Sequence, residues 1–247
     1  MRRGKISVIV LLSTVLFVVV SRQAAAMHIA EGILPAGWAI IWYILAAPFL
    51  GWGIYRIKQK SRRNPVSKAF IAMVGAGVFV ISCMPIPVPI AGTCSHPTGI
   101  GLAVVLIGPG PAIVVAAISL GLQALFLAHG GLTTLGANLV SMGVVGALSA
   151  WAVWKLSQKV GLSAVVGAFA AGLVADWMAY ATTALQFGAA LHGDRSMIVM
   201  FGIVLAAFVP TQIPLGVLEG FLSAGAYKFV DARRPDLLEE NSKEAET

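Results

Sequence analysis

From residue 37 onward the chain repeats one pattern: a long apolar run, a short polar interruption, another apolar run. The runs are 37–55, 69–86, 100–108, 111–128, 135–154, 162–185 and 197–227. A helix needs roughly 20 apolar residues to cross about 30 Å of hydrocarbon. Six of the runs approach or exceed that length. The third, at a rise of about 1.5 Å per residue, is too short to span comfortably, and Gly108-Pro109-Gly110-Pro111 interrupts the helix behind it. Stretches such as 147–153 and 199–209 do not alternate apolar and polar residues, as the strands of a transmembrane barrel would. The pattern predicts an all-α integral membrane protein. Composition agrees: 58% of the 247 residues are apolar and 11% charged, against about 25% charged in a soluble domain.

The amino terminus reads differently. Met1-Arg2-Arg3-Gly4-Lys5 is basic, 6–20 is apolar, and Ala24-Ala25-Ala26 supplies a small-residue cleavage site, the three parts of a secretory signal peptide. Cleavage after Ala26 makes Met27 the new terminus and puts it outside the cytoplasm. It also changes the charge account. The whole chain carries 17 basic and 10 acidic residues, but four of the basic ones precede Met27, so the mature excess is small and argues against a nucleic-acid partner. Apart from Arg195 and Lys243, the remaining basic residues cluster around 56–68, at Lys155 and Lys159, and at Lys228, Arg233 and Arg234. Placing all three clusters in the cytoplasm with the mature terminus outside requires an odd number of crossings. The expected organisation is a signal peptide, 1–26, about seven transmembrane helices within 27–230, and a polar cytoplasmic tail, 231–247. In that topology His28, His96, His129 and His192, all the histidines of the chain, fall on the outer side.

Met27-His28 at a freshly cut terminus is the most informative dipeptide. A free α-amine, the deprotonated amide nitrogen of the second residue and its imidazole can take three adjacent positions around one metal ion. His96, in Cys94-Ser95-His96-Pro97-Thr98-Gly99, can add a fourth nitrogen, with Pro97 restricting the backbone of His96. Four nitrogens suit Ni(II), Cu(II) and low-spin Co(II) better than Mg or Ca. An exposed, non-ligating His28 is the plainer alternative. His129, in Ala128-His129-Gly130-Gly131, reads as a donor orienting a ligand or as a polar marker of a helix end. His192 sits in an ordinary polar loop. Gln123, Asp176 and Glu219 lie within apolar runs, where carboxylates are costly enough to be functional candidates. Rows of small residues such as Gly167-Ala171-Ala175 suit helix packing. Cys83 and Cys94 are too few for a disulfide framework, and pairing and free thiols both stay open. Motifs of zinc proteases, acyl hydrolases and phosphate-binding loops are absent. An ATP-driven process would therefore draw its ATPase from another subunit.

The segment Met27-His28-Ile29-Ala30-Glu31-Gly32-Ile33-Leu34-Pro35 resembles the amino-terminal motif of the CbiM/NikM family, the substrate-binding S components of energy-coupling-factor transporters for cobalt and nickel. Three further segments are similar to that family: Cys94 to Leu102, Gln123 to Asn138, and Pro210 to Gly220. The Glu31 form of the motif is closer to the cobalt branch, since nickel-type members tend to carry Pro-Asp there. The resemblance implies a non-enzymatic subunit of the inner membrane with no cofactor. Its cargo is Co(II), or alternatively Ni(II), held by Met27, His28 and His96, with His129 and Glu31 in supporting positions. The partners implied are a CbiQ-type coupling subunit, a CbiO-type ATPase and often a small CbiN-type subunit, with imported cobalt serving cobalamin biosynthesis. Competing classes are a metal-dependent membrane enzyme, which needs an open coordination position, and a passive channel, for which no ring of carboxylates or carbonyl-rich filter is visible.

Overall fold

Each apolar run becomes a helix. The computed structural model describes residues 28–84, 86–88 and 93–238; the expected signal segment 1–26, Met27, the Cys94 side chain and tail residues 239–247 lie outside them. The helices are α1 (Ala36–Arg63), α2 (Val66–Ser82), α3 (Ile100–Ile107), α4 (Pro109–Phe126), α5 (Leu135–Lys159), α6 (Ala164–Leu191) and α7 (Met197–Arg233). Five of them, α1 and α4 to α7, are long and apolar enough to cross a membrane. The second has 17 residues and the third only eight, about 12 Å of rise, so α3 does not cross by itself. One departure from the all-helical expectation is a hairpin of β1 (Ile86–Val88) and β2 (Thr93–Ser95), antiparallel with Ile86 opposite Ser95. Pro85, Pro87 and Pro89 restrict the residue before each of them to extended backbone, which an apolar count does not register.

Local chemistry sets the ends. Asn64 closes α1, and its side chain accepts the Val66 N–H at 3.0 Å, so α2 begins after a two-residue turn. Ser163 and Ser196 cap α6 and α7 by accepting N–H groups three residues on, as N-cap serines do. Gly108 joins α3 to α4 at φ +85°, a conformation open to glycine, and Pro109 follows at the first helical position, where its missing N–H costs nothing.

The apolar helix α3 is the axis of the bundle. All eight of its residues are buried, the expected fate of a helix with no polar face. It packs against α2, α4, α5, α6 and α7. At its end Lys60 of α1, itself buried, donates to the Ile107 carbonyl at 3.1 Å, placing a cation where the helix dipole is negative. Small residues permit the close crossings. Ala171, Ala175 and Ala179 form a buried row on α6, and α3 meets that helix where Gly101 faces Gly172. A Cβ on Gly101 would overlap the Gly172 Cα and lie 3.1 Å from the Ala171 carbonyl oxygen. Gly101→Val therefore forces α3 from α6, with an expected loss of about 1–3 kcal/mol or more from overpacking. Thermal unfolding in detergent checks this, with Gly121→Ala as a control, since nothing lies within 4 Å of a Cβ at that position.

Candidate metal centre

Residues 28–35, which lead into α1, form neither helix nor strand, yet the first two of them are sunk into the bundle. His28 is 1% exposed and Ile29 0%. Extended backbone buried among apolar helices must find partners for its N–H and C=O groups. Asn138 of α5 supplies both. Its Oδ1 accepts the Ile29 N–H at 2.9 Å and its Nδ2 donates to the Ile29 carbonyl at 3.1 Å. The Thr134 hydroxyl donates to the same carbonyl at 2.5 Å. One side-chain amide thus pairs with a residue 109 positions away as a neighbouring strand would.

Against the opposite side lies the loop between α4 and α5. Glu31 N–H donates to the Gly130 carbonyl at 3.2 Å, and its carboxylate accepts the Thr133 N–H at 3.1 Å. Hydrogen bonds from Thr133, its side chain first and then its backbone N–H, hold the Glu31 carboxyl below its ordinary range. Contact is close enough to need glycine: a Cβ on Gly131 would come within 2.6 Å of the Glu31 Cα. Gly130 has φ +80°, and a Cβ there would stand 3.2 Å from His28 Nδ1.

This docking brings three histidines together. Ring centroids are 4.8 Å apart for His28 and His96, 4.6 Å for His28 and His129, and 5.0 Å for His96 and His129. Each offers a ring nitrogen, and the three nitrogens lie within 4.8 Å of one another. Neither ring nitrogen of His28 has a protein hydrogen-bond partner, nor does Nε2 of His129. His96 Nδ1 lies 3.0 Å from the Pro97 carbonyl, which can only accept, so Nδ1 carries the proton and Nε2 is the basic nitrogen. Burial pushes His28 well below the usual imidazole range, reinforced by its two neighbours; it pushes His96 down to about 4 and lowers His129. Near pH 7 the cluster is three neutral imidazoles, the protonation state that ligates metals. The set contains no carboxylate and is suited to late transition cations rather than to Mg or Ca.

Small spaces lie on two sides. An inner cavity of about 20 Å³ touches His28, His96, Thr98, Gln123 and Met142, and an outer one of about 240 Å³ is lined by Ser82, Cys83, His96, Gln123, Leu127 and His129. Gln123 and Ser82 border both and are joined by a 2.6 Å hydrogen bond. The Cys83 thiol is free.

Of the residues singled out in the sequence, His28, His96 and His129 converge and Glu31 secures the segment that carries His28. Met27, the expected amine donor, lies outside the described residues. His192 is exposed, with Nδ1 near the Gly193 and Arg195 carbonyls, apart from the cluster. Asn138 and Thr134 were not recognised as docking residues. Asn138 is the single asparagine within the apolar runs, and an amide at such a position is a signal of internal hydrogen bonding.

A multi-helix membrane bundle with a buried, neutral nitrogen cluster beneath its amino-terminal segment defines the class. Residues 28–237 match the family described as CbiM, cobalt uptake substrate-specific transmembrane region, and the chain belongs to that family. It is 52% identical over 215 residues to the cobalt transport protein CbiM of Geobacter sulfurreducens, covering 87% of this chain and 62% of that protein, so it spans less than two thirds of that relative. It is 50% identical over 213 residues to the cobalt transport protein CbiM of Sorangium cellulosum, covering 86% and 95%. Crystal structures of a transition metal transporter and of a truncated transition metal transporter share the fold, with TM-scores of 0.73 and 0.71. Each is 22% identical; the first alignment covers 85% of this chain and 96% of that one, the second 83% and 98%.

Two measurements test the site. Asn138→Ala leaves the buried Ile29 N–H without its acceptor, costing about 1–3 kcal/mol; hydrogen exchange in residues 28–34 should accelerate while the helices keep their protection. The second concerns pH. Native imidazoles with lowered pKa values bind fewer protons than the unfolded chain, so stability is full above about 6.5. It should fall as pH drops towards about 4, the His96 value. Melting temperatures of the metal-free protein across that window should decline, and replacing His28, His96 and His129 with Gln should flatten the profile.

Proposed function

We propose that this chain is the metal-selecting membrane subunit of a cobalt uptake system. The observation that carries the reading is the convergence of three buried nitrogen donors within 4.8 Å beneath the amino-terminal segment. Membership of the CbiM family and the transport names of its relatives support cobalt as the cargo and transport as the activity.

The proposed ligand set is the Met27 α-amine, the His28 amide and imidazole nitrogens, and the His96 imidazole. It forms after removal of residues 1–26, when Met27 becomes the terminus. His129 orients a ligand from the side, and Glu31 fastens the segment to the α4–α5 loop. Within the membrane the mature domain, 27–230, makes about seven passes, α3 and the non-helical residues that lead into it counting together as one, with its amino terminus outside, and the charged tail, 231–247, lies in the cytoplasm. Energy comes from partners: a CbiO-type ATPase acting through a CbiQ-type coupling subunit, with a CbiN-type small subunit. The imported ion supplies cobalamin biosynthesis. Nickel is the alternative cargo, because a four-nitrogen set does not separate the two ions by affinity order alone.

Register at the terminus tests the reading. Inserting two glycines between Ala26 and Met27 moves the α-amine two residues away, turns the Met27 nitrogen into an internal amide like that of His28, and puts the imidazole at the fourth position, out of register with the amine. Mass spectrometry should show the extended, processed terminus, and high-affinity Co(II) binding should be lost although the protein folds. Retained binding overturns the amine as a ligand. Uptake by metal-limited cells separates the cargoes: rescue of cobalt-dependent growth is expected, and nickel rescue alone overturns cobalt.

A further inference from the structure

Two carboxyl groups inside the bundle are not used by the proposed ligation. Glu219 on α7 is 1% exposed and Asp176 on α6 is 0% exposed. Intramembrane carboxylates are expensive and need a reason. For Glu219 the reason is the chain behind His96. Its carboxylate accepts the Thr98 N–H, the Thr98 hydroxyl at 3.0 Å and the Gly99 N–H at 3.2 Å. Thr98 Oγ1 also accepts the Ile100 N–H at 3.3 Å, and Gly99 takes the left-handed conformation at φ +67°. The N-cap residue, Gly99, has no side chain to offer; a carboxylate from another helix accepts the N–H groups that lead into α3, where the helix dipole favours an anion.

Only Pro97 separates this clamp from His96. Its ring fixes one backbone angle and restricts the residue before it, so displacement at Thr98 is passed to the imidazole with little slack. On the other side of His96, Ser95 Oγ lies 3.2 Å from the Tyr180 hydroxyl and accepts from Gln212 Nε2 at 2.6 Å. The histidine is held from both flanks by α6 and α7.

Asp176 has no hydrogen-bond partner on either carboxyl oxygen. Glu219, by contrast, has three donors directed at it.

We infer that Glu219 is a positioning residue for the metal site: from α7 it fixes the Thr98–Gly99 backbone so that His96 stands against His28 and His129. The inference rests on His96 being a ligand.

The test uses the full-length, processed protein in lipid nanodiscs. Co(II) affinity is read by calorimetry, and nitrogen ligation by electron paramagnetic resonance of bound Cu(II). Glu219→Gln should weaken Co(II) binding about 10–100-fold, the usual effect of removing a group that orients a ligand. It should also change the Cu(II) spectrum to one with a nitrogen fewer, which a loss of stability alone would not do. Thr98→Val, lacking one of the three donors, should shift both readouts the same way by less. A parent-like spectrum in Glu219→Gln overturns the inference whatever its affinity; should that variant not fold, a parent-like spectrum and affinity in Thr98→Val overturn it. His96→Asn separates the two levels. If that variant binds as tightly as the parent, the ligand reading has failed; if it loses binding while the Glu219 and Thr98 variants do not, only the positioning role has.

Discussion

The pairing of Asn138 with Ile29 is the contact on which the site depends. Helices satisfy their own backbone and therefore enter apolar surroundings freely, but a non-helical segment does not. Residues 28–35 precede α1, and two of them are fully sunk in the bundle. Without an acceptor for the Ile29 N–H and donors for its carbonyl, that burial would leave polar groups stranded. Asn138 and Thr134 satisfy them from the start of α5. Directly after Asn138 the helix winds as a π-helix over Leu139–Val145, a feature that recurs at functional sites because it changes which side chains share a face. The winding lets the first turn of α5 face the amino-terminal segment while Ala147 and Ala150 face the core.

Polar groups elsewhere follow the same rule. Lys60 closes α3 at one end and Glu219 at the other, each reaching over from a different helix. An eight-residue apolar helix in the middle of the bundle thus has its two dipole ends answered by opposite charges. The imidazoles obey a complementary logic. With their rings about 5 Å apart and two of the three buried, they cannot all be charged, and neutrality leaves lone pairs available to a cation. Stability of the metal-free protein and competence to bind an ion therefore share a requirement for pH above the range in which these histidines protonate.

Much of the fold was legible because apolar length is a one-dimensional property. The run at 37–55 becomes α1, although the helix continues to Arg63 through residues that are good helix formers once outside hydrocarbon. The run at 197–227 stays one helix despite Pro210 and Pro214, whose freed carbonyls neighbouring helices can accommodate. The hairpin at 86–95 was not legible as such, since its cause lies in alternating prolines rather than in hydropathy. At the site, His28 and His96 were marked by motif and by their neighbours. His129 was marked too, but its distance from the other rings depends on how the α4–α5 loop folds. The Asn138 and Glu219 contacts, across 109 and 121 residues, belong to tertiary structure. Sequence showed only that polar residues stood where polar residues are expensive.

That expense explains why an amino terminus, and not another side chain, suits the proposed ligation. Inside a helical bundle almost every backbone nitrogen is committed to an i to i−4 hydrogen bond and cannot face a ligand. A terminal segment outside the helices escapes this commitment and offers an amine, an amide nitrogen and an imidazole within two residues. It must then be carried into the interior, which exposes its remaining backbone to an apolar environment and calls for an amide such as that of Asn138 and for the close approach that Gly130 and Gly131 allow. The same economy applies to His96. Its loop is too short to be steered by its own contacts, so control passes to a buried carboxylate on α7. The docking residues and the Glu219 clamp are thus consequences of one choice, to build a nitrogen site from irregular backbone in a place where irregular backbone is least welcome.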